Sequence, residues 1–238
     1  MTHTLNAPRT NPASAPAAAL PAARSGARGL MGGAVVAGPV FLLAGVVQGL
    51  SRDGFDFTRN AISQLALGDG GWIQTVNFLL TGALLTVGAV GLRRELRGGP
   101  GGTWGPALVG VFGVSFWAAA ALPADAGAGF PVGAPDTTVM SGHGAGHMLA
   151  GMVGYVALCA VFVVLARPLA ARGHRAWAVA SRIAPAVVLA GFMASAASVL
   201  AFTAGAGLGL VWLAAVTARL TGDRPDRSHR SDRPGLAA

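Results

Sequence analysis

Apolar runs alternate with short polar gaps along most of this chain. Four runs are well separated: Leu30 to Leu50, Trp72 to Leu92, Trp104 to Leu122, and about His143 to Ala166. Each holds about 20 residues, which at roughly 1.5 Å per residue matches the ~30 Å hydrocarbon core of a bilayer. A fifth, uncharged stretch from Ile183 to Ala218 is 36 residues long. As a single helix it would measure about 54 Å, too long for one crossing. The pattern therefore predicts two short spans there, with a tight turn near Thr203 to Gly207. The fifth span borrows residues around Trp177, and Arg182 snorkels towards the membrane surface. The predicted architecture is an all-α, polytopic bundle of six transmembrane helices.

Charge placement orients that bundle. All 17 basic residues are arginines, and fifteen of them fall in alternate gaps or at the two ends of the chain. Arg24 and Arg28, then Arg93, Arg94 and Arg97, then Arg167, Arg172 and Arg175, then the tail arginines share one side; only Arg52 and Arg59 fall on the other. Because cytoplasmic loops accumulate arginine, both termini are expected in the cytoplasm of a bacterial cell, with the chain in its plasma membrane. Trp72 and Trp104 stand at span starts, where an indole prefers the headgroup level.

Composition agrees, since 53% hydrophobic and 11% charged residues leave too little polar surface for a water-facing shell. The bilayer is the expected partner. A net charge of +8 would point to nucleic acid in a soluble chain. Here the arginines flank apolar runs without interleaved aromatics, so no nucleic acid is expected. Residues 1–28, rich in Ala, Pro and Ser, and residues 221–238, rich in Arg, Asp and Pro, are expected to be disordered cytoplasmic tails around a 29–220 membrane domain. The first run exceeds a typical cleavable signal core and is read as a retained span. Cys159 is the sole cysteine and can form no intrachain disulfide.

Among 36 glycines, pairs such as Gly45/Gly49 and Gly142/Gly146 have the spacing that lets helix backbones approach, within a chain or between copies in a homo-oligomer. Gln48, Gln74, Asn77, Thr81, Thr86 and Ser115 are the mild polar groups inside the spans, read as interhelical hydrogen-bonding groups. The spans carry no mid-membrane Asp, Glu or Lys, which weakens an ion-coupled transporter.

Chemistry concentrates in the two outer gaps. Phe57, Ala61, Ile62 and Leu65 recur at helical spacing, with Thr58 to cap the start and Gly68 to end it. This predicts a short interfacial helix, apolar side down, with Arg59 and Ser63 one turn apart on its wetter side. There Arg59 could grip a lipid or substrate anion and Ser63 orient it. In the second gap, Asp125, Asp136, His143 and His147 lie within 23 residues. The i, i+4 histidines share a helix face, and with Asp125 they are a candidate site for a divalent metal such as zinc. No Glu stands between them to serve as a zinc-protease base. Two histidines on one helix cannot clamp a haem from both sides, and no other span offers a third. They equally suit loop-holding hydrogen bonds or a proton-linked switch.

The stretch RNAISQLALGDGGWIQTVNFLLTGALLTVGAVGL, Arg59 to Leu92, resembles the signature of a family of six-span bacterial membrane proteins catalogued only as a domain of unknown function (DUF998-like). The stretch from Asp125 through Phe130 and Pro131 to HGAGH, His143 to His147, is similar to its second signature. The resemblance spans roughly Leu30 to Leu220. It implies the six-span fold, a plasma-membrane location, and Ser63, Asp125, His147 and His143 as the matching positions; it implies no activity. The chain departs from the pattern in its short link between spans five and six. Three functions remain open on these residues: a non-enzymatic protein that senses, scaffolds or binds lipid at its outer face; a metal-dependent membrane hydrolase using His143, His147 and Asp125; and a small-solute transporter.

Overall fold

The computed structural model describes residues 19–222. Six helices follow one another: α1 (Ala19–Ser51), α2 (Gly71–Glu95), α3 (Trp104–Ala121), α4 (Gly142–Ala171), α5 (Arg175–Met193) and α6 (Val199–Gly222). Short 3₁₀ turns cover Ile62–Ala66 and Ala194–Ala196. All six helices are long and apolar enough to cross a membrane. Each packs on its neighbour in sequence, and α6 closes the ring against α1 while also touching α4. The bundle thus has an arginine-rich end and an opposite end covered by the two long loops, residues 52–70 and 122–141.

Lipid tails are as apolar as leucine, so the helices are held by close packing and hydrogen bonds more than by any hydrophobic drive. The α1–α2 seam uses both. A Cβ on Gly88 would lie 2.5 Å from the Ala34 Cβ and 2.6 Å from its backbone nitrogen, and one on Gly91 would lie 2.5 Å from the Met31 nitrogen. Nearer the loops, Gln48 Nε2 donates to Gln74 Oε1 at 2.9 Å, and Asn77 Nδ2 donates to the same oxygen and to Phe41 O. These three amides bridge helices as their sequence positions led one to expect. Thr86 and Ser115 instead bond their own helices, at Gly82 O and Phe112 O. At the arginine-rich end, Arg172 donates to Leu220 O at 2.7 Å and pairs with Glu95 at 3.3 Å, tying α4, α6 and α2 together.

Three expectations are corrected. The turn predicted at Thr203 to Gly207 lies inside α6; the break is at residues 194–198, where Ser198 Oγ accepts from Ala201 N at the start of α6. Gly205 and Gly207 are contact glycines, facing Gly191 and Leu42. The boundary placed at Arg28 falls within α1, which is already helical at Ala19. The predicted loop helix is only the 3₁₀ turn Ile62–Ala66, and Thr58 does not cap it: the Ala61 N–H is met by Gln64 Oε1, while Thr58 donates to Asp56. The expected tails at residues 1–18 and 223–238 lie outside the described residues.

Candidate functional site

The two long loops close over one end of the bundle through buried amides. Asn60 is fully buried; its Oδ1 accepts from Asp56 N at 2.9 Å, and its Nδ2 donates to Ala128 O at 3.4 Å and Gly127 O at 3.5 Å. One turn on, Gln64 Nε2 donates to Asp125 O at 3.3 Å and Gly127 O at 3.4 Å. Arg52 donates to Leu65 O and Leu67 O and lies 5.4 Å over the Phe130 ring, so its charge serves the loop fold. Asn60 and Gln64 did not stand out in the sequence, although they share the i, i+4 spacing that would have paired them, and Arg52 was read only for its side of the membrane. Gly45 and Gly49 of α1 receive Ile62 and Phe57 of this cap, so that small-residue face is occupied within the chain.

The predicted site residues separate into two groups. Arg59 pairs with Asp136 at 2.7 Å on the exposed surface, the side chains 52% and 81% exposed, and it does not join Ser63 at a common point. Asp125 receives the Ser141 N–H at 2.9 Å, and Ser141 Oγ in turn accepts from Gly144 N, capping α4. The Ser141 hydroxyl and N–H hold the Asp125 carboxyl below its ordinary value of 3.8. The carboxylate packs so closely on Gly144 that a Cβ there would collide with it.

His143 is exposed, whereas His147 is 8% exposed and its Nδ1 lies 2.7 Å from Leu122 O. A carbonyl can only accept, so Nδ1 carries the proton, and in the neutral ring Nε2 keeps a free lone pair. The metal set His143, His147 and Asp125 is not assembled: among the described residues no three His, Cys, Asp or Glu side chains converge to hold an ion. Two of its members are committed elsewhere, to a helix cap and to a loop carbonyl.

Ser63 and His147 do meet a common space. Beneath the cap, inside the helix ring, lies a cavity of about 370 Å³, within the size range of small-molecule sites. Phe41, Phe78, Phe112, Phe116 and Leu158 give it an apolar wall. Four of these aromatics form a cluster, with Phe41 and Phe116 edge to face at 5.1 Å. The hydroxyls of Ser115 and Tyr155 donate to Phe112 O and Val188 O, whereas Ser195 and Thr203 also line the space. Along α4 the lining runs from His147 to Leu158, about 16 Å, which is half the thickness of a hydrocarbon core. Met148 and Met152 line it while 55% and 49% exposed, so the cavity opens beside α4 at the loop-capped end.

A ring of six membrane-length helices with an apolar chamber under a loop cap defines a multi-pass membrane protein. The model of the family described as "Protein of unknown function (DUF998)" matches residues 35–219, and the chain belongs to that family. The match contains Ser63, Asp125, His143 and His147. No curated protein and no solved structure matches the chain.

Proposed function

We propose that this protein is a non-enzymatic membrane protein that binds a lipid-like amphiphile, chain inward, in the cavity beneath its loop cap. The observation that carries the reading is the cavity's polarity gradient: Ser63, His147, Ser195 and Thr203 come from the loop-capped half of the bundle, and the aromatic and aliphatic side chains make up most of the remaining wall. With the arginine-rich end in the cytoplasm of a bacterial plasma membrane, the opening beside Met148 and Met152 faces the outer leaflet, from which a lipid chain can enter sideways. A reporter fused after Ala238 tests that orientation and should read cytoplasmic.

The binding itself is tested by native mass spectrometry of the purified chain against Gly151→Trp. Gly151 lines the opening, and a Cβ placed there meets nothing within 4 Å, so the indole can occupy the entrance without displacing backbone. The wild-type chain is expected to retain a lipid-sized adduct that Gly151→Trp loses. Equal adducts on both proteins would defeat the reading. About one zinc per chain, removed by His143→Ala, would instead revive a metal centre.

A further inference from the structure

The bilayer offers an acyl chain nearly the same environment as the cavity wall, so chain burial gives little preference for the site over bulk lipid. Selectivity has to come from the polar end. None of the described residues lining the cavity is an Arg, Asp or Glu. The two nearby guanidinium groups are engaged, Arg59 with Asp136 and Arg52 with loop carbonyls. A phosphate or carboxylate would enter with no guanidinium free to meet it, and an uncompensated charge in such a setting is costly.

What the cavity does offer is one acceptor, His147, and hydroxyls that can both donate and accept, Ser63 with Ser195 and Thr203. His147 is more than nine-tenths buried, its Nδ1 proton is held by Leu122 O, and its Nε2 has no hydrogen-bond partner among the described residues. The Ser63 hydroxyl likewise has none, and it can both donate and accept. A ligand carbonyl could accept from Ser63 and would leave Nε2 unmet. A ligand hydroxyl satisfies both, donating to Nε2 and accepting from Ser63.

We infer that the ligand's head is an uncharged hydroxyl, as in a long-chain or isoprenoid alcohol or a monoacylglycerol, recognised by His147 Nε2 and Ser63 Oγ. The inference rests on the cavity being a ligand site. It is tested in phosphatidylcholine nanodiscs with a fatty alcohol carrying a mid-chain diazirine, in competition with unlabelled alcohol or alkyl phosphate of equal length.

The alcohol is expected to label α3, α4 and α6 peptides that line the cavity, and to be displaced by unlabelled alcohol at about tenfold lower concentration than by the phosphate. Ser63→Ala, which breaks no internal hydrogen bond, and His147→Ala should each weaken the alcohol severalfold, with His147→Gln, which keeps a hydrogen-bonding side chain, weakening it less. Equal or better competition by the alkyl phosphate, or an alcohol preference untouched in the Ser63→Ala and His147→Ala proteins, overturns the inference while labelling still depends on the open entrance. Labelling that does not saturate, or that Gly151→Trp leaves unchanged, overturns the cavity reading beneath it.

Discussion

The α1–α2 pair and the α5–α6 pair are both antiparallel hairpins of apolar helices, yet they are joined in different ways. Along α1–α2, glycines bring backbones into contact and three amides cross the seam, and half of α2's apolar window is buried. In α5 only 17% of the corresponding window is buried, and the pair touches through Gly191 and Gly205 and a stacked Trp177–Trp212 pair at 5.3 Å. The loop between α1 and α2 is long and folds back over the bundle; that between α5 and α6 is a bare turn. The cavity takes its wall from both pairs and opens beside α4, at Met148 and Met152. A chamber between helices needs one side that holds position and one that can yield, and the sequence builds them from opposite halves of the chain.

The heaviest blow to this contrast is Gly88→Leu. Its Cβ would fall on the Ala34 backbone, which cannot swing aside as a side-chain tip can. The expected loss is about 3 kcal/mol or more in a reversible detergent unfolding titration. Gly110→Leu supplies the control, since a Cβ at Gly110 meets nothing within 4 Å, and it should change stability by under about 1 kcal/mol. Equal effects would mean that glycine packing is not what distinguishes the α1–α2 seam.

A middle-sized effect is expected where the thinly packed half is fastened to the dense one. Arg172 reaches from the end of α4 to Leu220 O of α6 and Glu95 of α2, and the two charged side chains are 23% and 13% exposed. Arg172→Ala leaves a largely buried carboxylate without this partner, and a loss of about 2 kcal/mol is expected, below the cost of breaking a fully buried pair. Glu95→Gln in the same background should recover part of it by removing the stranded charge. Hydrogen exchange should show the lost protection in the last turns of α6 ahead of α1.

The same contrast explains which features could be read in advance. Helix number and most boundaries were legible because a membrane span is a local property, a run of apolar residues bounded by arginine or tryptophan. The α5–α6 link was misread because 36 consecutive uncharged residues carry no such punctuation, and the glycines at 205 and 207, which look like turn residues, serve helix contact instead. Ser198 was the available signal, a serine three residues ahead of the Ala201 N–H that it caps. At the site, Ser63 was read on the wetter side of a loop helix beside Arg59, and His147 as one of a histidine pair with Asp125. That both would line one cavity was not legible, because 84 residues separate them and only the fold seats Ile62–Ala66 on α1 and α2 above the space that α4 borders. Asp125 drew notice as a metal ligand, whereas its partner is the Ser141 N–H at the start of the next helix.

The smallest effect belongs to a pair of charges that the sequence reading had assigned to different sites. Arg59 and Asp136 make the shortest link between the two loops, 2.7 Å, yet both side chains are more than half in solvent, where screening and side-chain entropy reduce such pairs to about 0.5 kcal/mol. The cap is held instead by Asn60, fully buried, whose amide spans from Asp56 to Gly127 and Ala128. Replacing Asn60 by Leu strands the Asp56 N–H and Ala128 O and should cost about 1–3 kcal/mol, while Arg59→Ala should stay within about 0.5 kcal/mol of wild type and lose even that at high salt. If Arg59→Ala instead matched the Asn60 variant, the cap would be an electrostatic latch sensitive to ionic strength, and access to the cavity would follow the salt of the medium and not the packing of α5 and α6.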